Sequence, residues 1–235
     1  MALDATFWSR YFKRECIPQV HALVEILERR LLPQFDRINE EADSKANEAW
    51  ETFMRQPSDG SEDPSEFADA AFEEGLAHYQ LMYGLRQGLV NMFAAALYHL
   101  FEQHVMVFHR KQVLHPAKEN DVSLLTQAEF KKELRRVGVD VEGFAAWARI
   151  EELSLVANTV KHGDGRSAEV LWKRRPDLFE HRTTIAGLSW SPRRKPQVTT
   201  PISGDSIFVT LNDIRLYAEA VEGFWNDLFS NLQRS

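Results

Sequence analysis

Cysteine is almost absent: Cys16 is the only one in 235 residues. A single thiol cannot close an internal disulfide, which argues against a disulfide-stapled secreted scaffold and fits a reducing cytoplasm. No local motif supplies a base for it, so Cys16 is expected in or beside the core rather than as a nucleophile. Long apolar runs are also missing, since no stretch of about 18 apolar residues occurs to cross a bilayer. The start, Met1 to Tyr11, lacks a basic region followed by an apolar one, which speaks against a secretory signal. A glycine-rich phosphate loop, a serine nucleophile elbow and a paired-cysteine zinc pattern are lacking too. Neither a metal nor another cofactor is therefore expected. What is present is ordinary for a folded chain: 44% hydrophobic and 27% charged residues, too apolar for general disorder. The expectation is a soluble cytoplasmic protein with no membrane contact.

Charge is unevenly spread over the net −7. Residues 36–74 hold 13 acidic and 3 basic side chains, whereas residues 166–195 hold 8 basic and 3 acidic ones. The run Lys131-Lys-Glu-Leu-Arg-Arg136 adds to the positive side. Such asymmetry creates an anion-attracting face or simply two solvated surfaces.

Apolar spacing is helical almost throughout. Val20, Leu23, Val24, Leu27 and Leu31 mark one face between Pro18 and Pro33, and a charged helix follows over 36–55. The turn formers and acids of 57–64 make a loop. Asp63, Pro64 and Glu66 then form a helix start. The helical pattern from there continues to about His109, with Leu85, Leu89, Met92, Phe93, Ala96, Leu97 and Leu100 as the expected core stripe. A helix of that length would reach nearly 70 Å, so a break or a long antiparallel partner is expected. Gly75, Gly84 and Gly88 suit a bend or a close neighbour. Further helices are predicted over 127–137, 142–162 and 168–174, the last capped by Ser167. A final helix opened by Thr210 and Asp213 carries Ile214, Tyr217, Ala218, Val221, Trp225, Leu228 and Leu232 on one face. The predicted fold is all-α: one antiparallel helical bundle with long helices, and an irregular or β-hairpin excursion near 183–209.

The segment most suggestive of chemistry is the helix end Asn158-Thr-Val-Lys161-His162-Gly163. Ser154, Asn158, Lys161 and His162 make a polar stripe beside the apolar Leu153, Val156, Ala157 and Val160. The same residues also make an ordinary helix terminus, with cations favoured by the dipole and glycine at the left-handed position. His99 and Glu102, three apart on the long helix, suit an acid–base pair, a partner that orients His162 or, if a second matching pair existed, a metal pair. Trp172-Lys173-Arg174-Arg175 and Trp190-Ser-Pro-Arg193-Arg194-Lys195 interleave aromatic and basic residues. That pattern suits RNA, by stacking and phosphate neutralisation, or an amphipathic edge.

In Asn158 and His162, spaced four apart before Gly163, the chain resembles the HEPN superfamily of helical-bundle proteins. The resemblance covers about residues 76–165 plus the last helix (210–233), with residues 1–56 as a helical extension, all within one domain. In the family's nucleases an Arg precedes this polar residue, and two protomers join their motifs to cleave RNA without metal. The resemblance therefore implies a homodimer, RNA as partner, and catalytic positions at His162, Asn158 and Lys161. Arg166, Lys173, Arg174, Arg175, Arg193, Arg194 and Lys195 would bind nucleic acid, with Glu102 and His99 in support. The sequence departs from the pattern where the Arg should stand, at Ala157, Val156 or Leu155, none of them basic. A HEPN-like interaction or RNA-binding module without robust catalysis follows. The alternatives are a metal-independent endoribonuclease of a toxin or anti-phage system using His162, and a purely structural partner protein.

Overall fold

The structure, a computed structural model, describes residues 4–55, 63–180 and 195–233. All of its regular elements are helical, and no strand occurs among the described residues. The chain begins with α1 (Ala5–Tyr11) and α2 (Ile17–Ile26), joined by a π-helical turn over Phe12–Cys16. Pro18 therefore sits inside a helical run rather than bounding one. The wide turn, in which Ile17 N–H reaches back to Phe12 O, relieves the crowding a proline ring otherwise causes. Cys16 is buried here, and burial, helped by Glu15, pushes its thiol up to about 11. It is a core residue.

Next come α3 (Ile38–Met54) and α4 (Pro64–Phe108). The start of α4 is as expected, with Pro64 in its first turn and Asp63 accepting from Ser65 N–H at 2.9 Å. Its 45 residues run unbroken, about 68 Å at the usual rise. Instead of breaking, α4 has α3 folded back along its first half. Gly75 allows this, because a Cβ there would lie 2.8 Å from Ala42 O.

The core face of α4 overlaps the expected one in part: Leu97 is buried and Leu89, Phe93 and Leu100 pack against the core. Leu85 and Met92 are 49% and 43% exposed. The fully buried stripe is Val90, Ala94, Leu97, Phe101, Val105 and Phe108, which keeps the same helical period but is turned away from Leu85 and Met92. This face meets α8 (Leu211–Leu232), whose seven expected core positions are all buried. Thr210 and Asp213 close the predicted start of α8 as a reciprocal capping box. At the centre Phe12, Phe101, Phe108, Phe224, Trp225 and Phe229 pack ring against ring, with the Phe12 and Trp225 centroids 3.9 Å apart. Such aromatic packing dominates a core's energetics.

Three helices complete the frame: α5 (Gln127–Arg136), α6 (Trp147–His162) and α7 (Arg166–Arg174). The last starts two residues before the expected position, and Gly165 rather than Ser167 precedes it, without a side-chain cap. Residues 195–209 return as irregular chain rather than a hairpin; the rest of the excursion, 183–194, lies outside the described residues. That returning chain is fastened to α4. The buried Asn91 amide donates to Pro201 O (2.7 Å) and Ile207 O (2.9 Å), and its oxygen accepts from Val209 N–H (3.3 Å). Gly88 admits the chain so closely that a Cβ would sit 1.8 Å from Ile202 O. Of the two roles open to these glycines, close approach is the one observed.

Candidate functional site

Helix α6 stops at Gly163, whose φ of +69° suits glycine and whose N–H bonds to Thr159 O. The next residue ties this end to the returning chain. Asp164 N–H donates to Val198 O at 2.9 Å, and the Asp164 carboxylate accepts from Val198 N–H at 3.1 Å. Lys195 pairs with the same carboxylate and holds it below the usual range. Lys195 therefore serves this turn.

The polar stripe on α6 is divided among different tasks. Asn158 donates its amide to Ser154 O at 2.9 Å, within its own helix. Thr159 is buried and bonds to Leu155 O. Ala157 is buried too. Lys161 and His162 are exposed, and neither makes a hydrogen bond or ion pair with the described residues. His99 and Glu102 do not contact His162; they bond to each other at 3.1 Å.

The expected nucleic-acid cations also separate. Arg166 and Lys173 are exposed and unpaired among the described residues, and they share one face of α7 with Glu169 and Val170. Arg174 pairs with Glu151 across exposed surface. Arg175 is engaged elsewhere: its guanidinium donates to Glu152 at 2.5 Å, to Asp213 at 2.9 Å and to Asp177 at 2.7 Å. Glu152 also accepts from Tyr217 at 2.8 Å and from Arg149 at 2.9 Å. Burial, reinforced by the Glu152 carboxylate, pushes the Tyr217 phenol far above its ordinary value. This network joins α6, α7 and α8, so Arg175 is an internal tie and not a free phosphate ligand. Arg193 and Arg194 lie outside the described residues, as does Trp190. Trp172 meets Phe179 edge to face at 5.4 Å, an amphipathic edge packed on the body.

The basic run 131–136 is likewise neutralised. Lys131 pairs with Glu142, Lys132 with Glu129, Arg135 with Asp140 and Glu142, and Arg136 with Glu133.

A groove opens between α4, α5, α6 and α7. One compartment of about 240 Å³ has Tyr98, Gln127, Trp147 and Ser154 in its lining, with Lys131 and Arg174 beside them. A second, of about 590 Å³, shares Tyr98 and Gln127 and continues past His99 and Glu102. At their junction Gln127 donates to the Tyr98 hydroxyl at 3.0 Å and to Glu102 at 3.4 Å. Burial raises the Tyr98 phenol, while hydrogen bonding to Ser154 opposes the shift. Lys131 lies 5.4 Å from the centre of the Trp147 ring.

No family model matches the chain, and no curated protein or solved structure matches it either. The site must therefore be read from its own chemistry. Sequence inspection singled out Ser154 for its stripe and Lys131 for its charge, but missed Tyr98, Gln127 and Trp147 as neighbours. No local spacing could have joined them, because Gln127 lies 29 positions from Tyr98.

Proposed function

We propose that the chain is a HEPN-like helical module that binds single-stranded RNA and does not cleave it. One observation carries the proposal: among the described residues Lys161, Arg166 and Lys173 stand exposed and unpaired around the end of α6 and along α7, while the cations near them are bound to carboxylates. Arg166 and Lys173 are two turns apart, about 10 Å along the helix axis, on one face. Unpaired cations gain from a phosphate without first breaking an ion pair.

The absence of cleavage is inferred from the motif's chemistry. The family's cation position falls on buried Ala157, the Asn158 amide is engaged within its helix, and His162 has no described partner to orient it. General acid–base catalysis needs such an orienting contact and a charge on the phosphorane side. The antiparallel bundle and the paired protomers that the resemblance implies belong to this proposal, and sedimentation of the intact chain tests the pairing.

Anisotropy of a labelled single-stranded oligoribonucleotide tests the binding. With three phosphates neutralised, the slope of log affinity against log salt should be about −2, a loss of roughly twentyfold between about 50 and 200 mM salt. Replacing Lys161, Arg166 and Lys173 with Glu should abolish binding. Salt-independent binding, or binding that survives those changes, would refute the role. EDTA-resistant cleavage lost in His162→Ala would overturn the non-catalytic assignment.

A further inference from the structure

We infer that the compartment beside Trp147 seats one unstacked base of a single-stranded RNA whose backbone runs along α7, an inference that rests on the RNA-binding role proposed above. Position supports this first. Arg174 at the compartment follows Lys173 on α7, so the groove adjoins the exposed cations of that helix. Size supports it next. At about 240 Å³ the compartment falls below the range of drug-sized sites and suits a single ring system. The adjoining 590 Å³ leaves room for a neighbouring nucleotide.

Its chemistry is that of a base seat. Trp147 supplies an aromatic wall, and stacking on such a wall tolerates any base because every base has a π-face. Gln127 uses its amide N–H groups on Tyr98 and Glu102, while its carbonyl oxygen has no partner among the described residues. That oxygen is an acceptor for an exocyclic amino group, and the Ser154 and Tyr98 hydroxyls, which line the same compartment, can bond to a base edge. Lys131 now covers the Trp147 ring and pairs with Glu142, and Arg174 pairs with Glu151. Both ion pairs are solvent-exposed and contribute little. An incoming base displaces the ammonium from the ring, and the two cations then turn to the phosphate. Glu102 and Glu151 keep that phosphate away from the groove interior.

The test compares wild type with two variants, Ser154→Phe, which fills the compartment, and Gln127→Leu, which removes the edge acceptor. Folding of each is checked by circular dichroism, and binding is measured to a single-stranded oligoribonucleotide and to adenosine 5′-monophosphate. Loss of the stacked base in Ser154→Phe should weaken oligoribonucleotide binding about tenfold, and loss of one hydrogen bond in Gln127→Leu about fivefold, with the salt slope unchanged in both. Replacing Lys161, Arg166 and Lys173 with Ala should instead flatten the slope. If both folded variants bind the oligoribonucleotide as wild type does, the base seat is overturned and the RNA role stands. If wild type binds only the mononucleotide, and Ser154→Phe loses it, the RNA role falls and the seat survives. Binding of neither probe overturns both.

Discussion

Replacing Arg175 with Met separates an internal tie from a phosphate ligand. The side chain is 20% exposed, and its partners Glu152 and Asp213 are 12% and 7% exposed. Met preserves most of the aliphatic packing but leaves the largely buried Asp213 carboxylate without its cation and Glu152 with Arg149 alone. Breaking a buried pair by removing one partner typically costs 3–5 kcal/mol, and the residual exposure places this case near the lower end, about 3 kcal/mol. For a chain of this size that lowers the melting temperature by about 6–12 °C. Arg174→Met is the matched control. Its pair with Glu151 is 44% and 43% exposed, worth about 0–1 kcal/mol, so its melting temperature should fall by no more than about 4 °C. Adding Glu152→Gln to Arg175→Met should recover part of the loss, because it removes a largely buried carboxylate that has lost one of its two cations. Thermal unfolding followed by circular dichroism reads all three variants. The reasoning fails if Arg175→Met melts with the Arg174→Met control and instead flattens the salt dependence of RNA binding.

Two further outcomes follow from groups inside the fold. His104 and His109 are buried, and burial lowers the proton affinity of both. The unfolded imidazoles, at their ordinary value of about 6.5, take up protons first as the pH falls. Stability should therefore be flat above about pH 6.5 and decline below it by up to about 1.4 kcal/mol per histidine per pH unit, until the lowered folded values are reached. Urea midpoints should show that decline, and His104→Leu should lessen it; a midpoint that rises on acidification contradicts the argument. Gly88→Ala should cost at least about 1–3 kcal/mol, because its Cβ would meet the Ile202 carbonyl rather than a side chain that can turn aside. Limited proteolysis should then cut within residues 195–209 faster than in wild type, and unchanged cutting would disprove the clash.

How legible these features are in the sequence depends on the distance between the interacting residues. Helix α8 was readable because its apolar period and its capping pair, Thr210 and Asp213, are both local. Helix α4 was readable in extent but only partly in facing. It carries apolar residues on more than one side, and Leu85 and Met92 form as regular a stripe as Val90, Ala94 and Leu97. Only the partners packed on it decide which side is buried. Arg175 sits in a basic run that resembles a phosphate-binding segment, yet two of its three carboxylate partners lie 23 and 38 positions away. The groove has the same character, since its residues come from four separate helices. The Asn158 and His162 spacing was visible at once. The engagement of Asn158 with Ser154 was not, because a side chain that bonds to its own helix leaves no mark in spacing.

The fastening of the returning chain to α4 has a consequence for how the molecule breathes. Three backbone groups of that chain, at Pro201, Ile207 and Val209, hang on the single amide of Asn91. They cannot let go one at a time without stranding a buried donor or acceptor, so the segment opens as one cooperative unit with a free energy of its own. Val209 leads directly into the capping box of α8. Opening this unit would therefore also loosen the first turn of the helix that carries Trp225, so one buried amide ties an irregular segment to the stability of the core.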